Sequence, residues 1–280
     1  MLHPAAAVEL LHNFALIHDD VMDRSATRRG QPTVHEALAA AHVEEGLLGQ
    51  PDWFGVGGAI LAGDLTFVWA DHLLDTAPLP AAALDRARAV FTQLRVEVMA
   101  GQYLDLRLAG SPDAGVERSL QVALLKSGRY TVTRPLQLGA ALASTDTVLD
   151  AALRAYGDAV GIAFQLRDDV LGLFGDPAET GKSAAEDLRE GKRTMLILRA
   201  LELADEPERR ALAAMLGDPD LDERDADRAR RIVADSGARD AVERYLTEQQ
   251  ELARRALAPV QGEARVALDQ LADLALHREG

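Results

Sequence analysis

Apolar residues return every three or four positions through most of this chain, and no stretch alternates apolar with polar. Val8, Leu11, Ala15 and Leu16 follow that spacing, as do Leu84, Ala87, Val90, Phe91 and Leu94, and near the end Ile232, Val242, Tyr245 and Leu246. The period is helical. Alanine, leucine, arginine and glutamate dominate and aromatics are few, which also favours helix over strand. The expected fold class is all-α: one domain over residues 1–280, a bundle of more than four helices. Breaks are legible where Arg29-Gly30-Gln31-Pro32-Thr33 ends the first helix, with Thr33 placed to cap the next. Residues 46–58 hold five glycines and one proline and read as a loop, with Gly55-Val56-Gly57-Gly58 a flexible turn. Pro78 to Pro80, Gly110-Ser111-Pro112 and Gly175 to Gly181 mark further breaks, and Gly217 to Asp227 reads as a polar connection.

Within that helical frame, two acidic clusters stand out. Asp19-Asp20-Val21-Met22-Asp23 is echoed 149 residues later by Asp168-Asp169-Val170-Leu171-Gly172. Asp19 and Asp23 sit one turn apart on a helix, where carboxylates repel unless a cation lies between them. An isolated Asp-x-x-x-Asp pair is most often a solvated surface feature. Here it follows Leu10-Leu11-His12-Asn13-Phe14-Ala15-Leu16-Ile17, which is too apolar for an exposed helix. His12, Ala15, Leu16, Asp19 and Asp23 fall near one stripe. In the second cluster Asp168 is likewise set in apolar helix, and Gln165 lies one turn before it on the same face. The economical reading is a group of hard cations held by two helices, and such cations usually hold phosphate oxygens.

Basic residues accompany both clusters. Arg28-Arg29 follows the first in a loop, and guanidinium groups bind phosphate through paired hydrogen bonds. Lys182 and Lys192 follow the second and are candidates to close over an anionic ligand. Gly181-Lys182-Ser183 is not a P-loop, because Asp176 stands where the earlier glycine is required and no strand precedes it. Between the clusters lie Gly63-Asp64, Gln102 with Asp105, and Lys126-Ser127. Taken singly, Asp64 reads as a helix cap, Gln102 as a partner for a buried carbonyl and Lys126 as a surface residue.

Composition narrows the classes. The chain has no cysteine, which excludes disulfides, zinc–thiolate sites and thiol nucleophiles. A net charge of -15 argues against nucleic-acid binding and would slow anionic substrates unless bound cations reverse the sign locally. No apolar stretch reads as a membrane span, and the start lacks a signal-peptide layout, so a cytoplasmic location is expected.

Taken in order, these motifs resemble the trans-isoprenyl diphosphate synthases of the polyprenyl synthetase family, in particular a bacterial geranylgeranyl diphosphate synthase. The resemblance rests on Asp19-Asp20-Val21-Met22-Asp23 with Arg28-Arg29-Gly30-Gln31-Pro32-Thr33, Gly63-Asp64, Gln102 with Asp105, Lys126-Ser127, Gln165 with Asp168-Asp169, Gly175-Asp176, Thr180-Gly181-Lys182 and Gly191-Lys192. It implies a helical bundle around a deep cavity, usually a homodimer. It implies head-to-tail condensation of an allylic diphosphate with isopentenyl diphosphate, assisted by about three Mg²⁺ ions. By position, Asp19 and Asp23 would ligate two ions and Asp168 the third, with Asp20 and Asp169 as supporting acids. Arg28, Lys126, Ser127, Gln165, Lys182 and Lys192 would contact the allylic diphosphate, and Arg29 and His12 the isopentenyl diphosphate. Phe14 and Ala15, five and four residues before Asp19, would set product length at about C20.

Two departures from the family pattern bear on this. The second motif ends in Gly172 rather than aspartate. The Gly-Lys-x-x-Arg segment usual upstream of the first motif does not occur in the 18 residues before Asp19, so two N-terminal helices are expected to be missing and condensation by this chain to be weak or absent. A class I terpene cyclase and a non-catalytic partner subunit of a prenyl synthase are the competing readings.

Overall fold

The computed structural model describes residues 2–111, 114–175 and 184–276. The chain divides into two compact units, Met1–Arg88 and Ala89–Gly280. The all-α expectation holds, and the only strands among the described residues are two of two residues each.

In the first unit, α1 (Leu2–Asp23) packs along α3 (Pro51–Asp75), and α2 (Val34–Glu44) packs on α3 as well. The inward stripe of α1 is Ala7, Leu11 and Phe14, the i, i+4, i+7 spacing of one helix face. Between α1 and α2, β1 (Thr27–Arg28) and β2 (Gln31–Pro32) pair antiparallel. Their two-residue loop, Arg29-Gly30, has φ of 52° and 72°. Two positive values in a row are the signature of the tight primed turn that suits a hairpin, and glycine relieves the strain at the second.

The expected loop over 46–58 is corrected. The turn is confined to the residues before Pro51, where Gly46 and Gly49 have φ of 65° and 110°. Pro51 starts α3, where its missing N–H costs nothing. Gly55 and Gly58 are interior helix residues on the face toward α2. A Cβ on Gly55 would overlap the His35 carbonyl oxygen, and one on Gly58 would lie 2.5 Å from Leu38 Cδ1. These glycines permit close helix packing instead of breaking the chain. At 25 residues, α3 is long and apolar enough to cross a membrane by length and composition only, a test that the core helix of a soluble protein also passes. It carries Asp64 and Asp71 and packs against both α1 and α2. Thr33 is the N-cap residue of α2, but its hydroxyl donates to the Ser25 carbonyl at 2.8 Å and caps nothing.

The second unit is organised on α7 (Thr147–Phe174). Asp146 caps it by accepting from the Val148 and Leu149 N–H groups. Into this unit runs α4 (Ala81–Ala109), followed by α5 (Val116–Val122), a π-helical segment (Ala123–Thr133) and α6 (Arg134–Ala143). After α7 come α8 (Ala184–Arg189), α9 (Met195–Leu203), α10 (Glu206–Met215), α11 (Glu223–Asp235), α12 (Ala238–Ala256) and α13 (Gly262–Leu276). The polar connection expected over 217–227 is shorter than that, because Asp222 and Asp225 form a capping box that starts α11 at Glu223. The π-helical segment, α6, α12 and α13 all pack on α7. Arg167 of α7 forks onto Glu243 at 2.8 Å through both terminal nitrogens and donates to the Leu276 carbonyl, and Tyr156 donates to the Leu268 carbonyl at 2.6 Å.

The contact between α7 and the π-helical segment is made backbone to backbone. A Cβ on Gly161 would overlap Gly128 Cα and lie 2.7 Å from its carbonyl oxygen. Because no side-chain rotation can relieve that overlap, Gly161→Ala should lower unfolding free energy by about 3 kcal/mol. Urea denaturation of the variant checks this, and an unchanged midpoint would contradict the contact.

Candidate active site

Each acidic cluster belongs to one of the two units. The first ends α1, where the helix dipole is negative and three carboxylates are least welcome. Of the three, Asp20 is buried, with 4% of its surface exposed, while Asp19 and Asp23 are half-buried. The hairpin explains the difference. It folds Arg28 back so that its Nε donates to Asp20 Oδ1 and Oδ2 at 2.8 and 3.0 Å, and its Nη2 lies 2.7 Å from Oδ1. The same Nη2 is 3.7 Å from Asp19 Oδ2. Burial works against the guanidinium's charge, but the Asp20 hydrogen bond and the surrounding carboxylates outweigh it and hold the Arg28 pKa above its ordinary value. Arg28 is thus committed to Asp20, not free to serve only a phosphate.

His12 is half-buried about two turns earlier. Burial lowers its pKa, Arg29 and Arg28 lower it further, and Glu9 opposes them. A neutral imidazole can offer a hydrogen bond but little charge. Arg29 is exposed on the hairpin turn. Phe14 is buried, its ring 4.9 Å from that of Phe67 on α3 and 4.7 Å from that of His18. Ala15 beside it is half-buried. Asp64, read singly as a cap, stands in the middle of α3 and lies 3.8 Å from His18 Nε2. His18, whose Nε2 also lies 3.0 Å from the Ile60 carbonyl oxygen, had no signal in the motif spacing. Gly63 was the available clue, since a Cβ there would overlap the His18 ring.

In the second unit, Leu166, Val170 and Leu173 turn one face of α7 into the core. Asp168 therefore points away and is exposed, contrary to the embedded position expected from its apolar neighbours. Gln165 serves Asp169, donating from Nε2 to Oδ1 at 2.8 Å, four residues on. Burial pushes the Asp169 carboxyl up to about 8. The Asp168 and Asp187 charges add to that shift, while Gln165 and Lys192 oppose it. Gly172 stands on the same stripe, and Asp187 takes the space beside it: a Cβ at Gly172 would lie 2.7 Å from Asp187 Oδ2. Lys192 is 3.2 Å from Asp187 Oδ1 and 2.5 Å from Glu190 Oε2. Lys126 is also engaged, its Nζ 2.6 Å from Asp105 Oδ2, and both side chains are about one-fifth exposed. That excludes the reading of Lys126 as a free surface residue. Ser127 beside it is half-buried. Lys182, with Asp176, Thr180 and Gly181, lies outside the described residues.

Among the described residues no three acidic or histidine side chains form a ready-made metal cage. The donor set fits Mg²⁺ nonetheless. That ion takes one or two carboxylates and completes its octahedron with water and substrate phosphate. Half-exposed Asp19 and Asp23 and exposed Asp168 are carboxylates of that kind.

The polyprenyl synthetase family model matches residues 1–233. The chain belongs to the polyprenyl synthetase family. A geranylgeranyl pyrophosphate synthase from Corynebacterium glutamicum, solved in complex with isoprenyl diphosphate and magnesium, shares 41% identity and superposes with a TM-score of 0.95 over 99% of this chain and 79% of that one. The geranylfarnesyl diphosphate synthase of Aeropyrum pernix is 34% identical, covering 98% of this chain and 81% of its own. The geranylgeranyl diphosphate synthase of Mycobacterium tuberculosis is also 34% identical, over 95% of this chain and 71% of its own. As a polyprenyl synthetase the chain is a trans-prenyltransferase.

Proposed function

We propose that this polyprenyl synthetase joins an allylic diphosphate head-to-tail to isopentenyl diphosphate in a Mg²⁺-dependent reaction. The single observation that supports this best is the division of labour in the first motif: Asp20 is consumed by Arg28, and Asp19 and Asp23 are left half-exposed beside it. Asp19 and Asp23 would hold two Mg²⁺ ions and Asp168 a third, and the ions would supply the positive charge that makes the allylic diphosphate a leaving group. Asp20 fixes Arg28 near the diphosphate, and Asp169, oriented by Gln165, backs Asp168. Arg28, Lys126, Ser127, Gln165, Lys182 and Lys192 contact the allylic diphosphate, while Arg29 and neutral His12 contact isopentenyl diphosphate. The allylic C–O bond breaks with its electron pair on the diphosphate. The isopentenyl double bond then attacks the allylic cation, and loss of a proton gives the longer allylic diphosphate.

The deciding assay incubates the protein with Mg²⁺, a labelled allylic diphosphate and isopentenyl diphosphate, and separates the products by chain length. Elongated allylic diphosphate supports the reading. Hydrocarbon formed from geranylgeranyl diphosphate alone would overturn it in favour of a terpene cyclase. Activity appearing only on mixing with a second synthase would make the chain a partner subunit.

Phe14 and Ala15 set the product length in this reading. Phe14→Ala should lengthen products by at least one five-carbon unit and, because the ring is buried, cost about 3 kcal/mol of stability. Mass spectrometry of the products checks the first expectation. An unchanged distribution would move the floor of the pocket elsewhere.

We also propose that the protein is a homodimer. Trp53, Leu61 and Val68 of α3 are 72, 70 and 58% exposed, an apolar surface that a second copy would cover. Leu61→Glu should then shift sedimentation velocity from dimer to monomer, and a wild-type protein that sediments as monomer would refute the assignment.

A further inference from the structure

The π-helical segment Ala123–Thr133 carries Lys126 and Ser127, and eleven residues is long for this conformation, which mostly occurs as a single turn. An isolated stretch of this sequence would relax to an α-helix. Contacts from α4 and α7 prevent it. Glu97, Gly101 and Asp105 occupy one stripe of α4 at i, i+4 and i+8. Asp105 takes the Lys126 Nζ at 2.6 Å. Gly101 has no side chain, and a Cβ there would overlap the Lys126 backbone nitrogen. Glu97 grips the far end of the segment: Oε1 accepts from Arg129 Nη1 at 2.9 Å and Arg134 Nη2 at 2.6 Å, and Oε2 from Arg134 Nε at 2.7 Å.

On the opposite side, α7 repeats the pattern. Asp158 accepts from Arg129 Nε and Nη2 at 3.3 and 3.1 Å and from Thr133 Oγ1 at 2.8 Å, between the notches of Gly157 against Thr133 and Gly161 against Gly128. Arg134 is buried and also donates from Nη1 to Gln137 Oε1 at 2.6 Å. Burial alone would raise the Glu97 carboxyl, but Arg134 and Arg129 outweigh it and keep Glu97 ionised below the usual carboxylate range.

We infer that Glu97 is a positioning residue for Lys126 and Ser127. It holds Arg129 and Arg134 so that the segment between them and Asp105 keeps its π register. An α-helix reaches the same hydrogen bond about one residue sooner. Relaxation would therefore turn Lys126 and Ser127 relative to Asp105 and the diphosphate they meet. Strained backbone at a functional site persists only where its surroundings over-determine it, and Glu97 with Asp158 supplies that. The inference rests on the reading of Lys126 as an allylic diphosphate contact.

The test measures binding of geranyl thiolodiphosphate, a poorly ionising allylic analogue, in the presence of Mg²⁺ by calorimetry on the full chain. Glu97→Gln should bind it about 10-fold more weakly than wild type. In a Lys126→Ala/Ser127→Ala background the same substitution should change binding less than about twofold, because its effect runs through those two residues. An undiminished 10-fold loss in that background, or no loss in the single variant, would overturn the positioning role. A Lys126→Ala protein that binds as wild type would instead overturn the Lys126 contact itself, and the inference with it. If Glu97→Gln does not fold, Asp158→Asn, which loosens Arg129 from the α7 side, carries the same expectation in both backgrounds.

Discussion

Asp19→Asn should leave the protein nearly as stable as wild type and lower Mg²⁺-dependent ionisation of an allylic diphosphate by about 10³-fold, while Asp20→Asn should mainly cost stability and, by loosening Arg28, lower ionisation by only about 10-fold. The two residues are adjacent and chemically identical, so sequence position alone would not separate them. Asp19 is half-exposed, and Arg28 Nη2 is 3.7 Å from it but bonded at 2.7 Å to Asp20, so neutralising Asp19 leaves the guanidinium its counter-charge. What it loses is a metal-ligating charge in a reaction whose barrier lies in separating diphosphate from carbon. Asp20 is buried and takes three nitrogen–oxygen contacts of 3.0 Å or less from Arg28. Its amide would keep some of the hydrogen bonding but would leave the guanidinium without its counter-charge. Breaking a fully buried pair costs about 3–5 kcal/mol, and the Arg28 side chain is about a quarter exposed, so about 2 kcal/mol is expected. Diphosphate release at saturating Mg²⁺, together with urea denaturation of both variants, distinguishes them. Equal stability loss in the two would mean that Arg28 does not discriminate between the carboxylates.

That contrast shows where sequence reasoning stops. The spacing of Asp19 and Asp23 placed both carboxylates on one helix face, because helical geometry is local. Which carboxylate is consumed internally depends on Arg28 returning over α1, and that return depends on Arg29 adopting a positive φ in the hairpin turn. Nothing in the run Arg28-Arg29-Gly30 distinguishes that turn from an open basic loop. Gly55 and Gly58 misled for the same reason. A glycine that ends a helix and one that lets another helix approach look alike until the neighbour is placed, here His35 and Leu38. The all-α class, most helix breaks and the order of the motifs survive because each rests on contacts within a few residues. The π register around Lys126 does not, since it is imposed by Glu97 and Asp158 from two other helices.

Asp168→Asn should lower the same ionisation by about 10²-fold and raise the Mg²⁺ concentration needed for half-maximal rate. Stability should stay within about 0.5 kcal/mol of wild type, because Asp168 is exposed. The more discriminating variant is Gly172→Asp, which completes the second motif as the family usually carries it. If the missing carboxylate were a simple deficit, restoring it would relieve the Mg²⁺ requirement. The neighbourhood of Gly172 argues against that. Asp187 Oδ2 would lie 2.7 Å from the new Cβ, so the Asp187 carboxylate must swing away and loosen its 3.2 Å pairing with Lys192. A further negative charge would also join Asp168 and Asp187, whose charges, after burial, already raise the Asp169 carboxyl. Gly172→Asp is therefore expected to bind Mg²⁺ no better than wild type and to lose about 1 kcal/mol of stability. Mg²⁺ titration of turnover in the single variant and in Gly172→Asp/Asp187→Ala gives the decision. A gain only in the double variant means that Asp187 already fills the place of the absent side chain, and a gain in the single variant means that it does not.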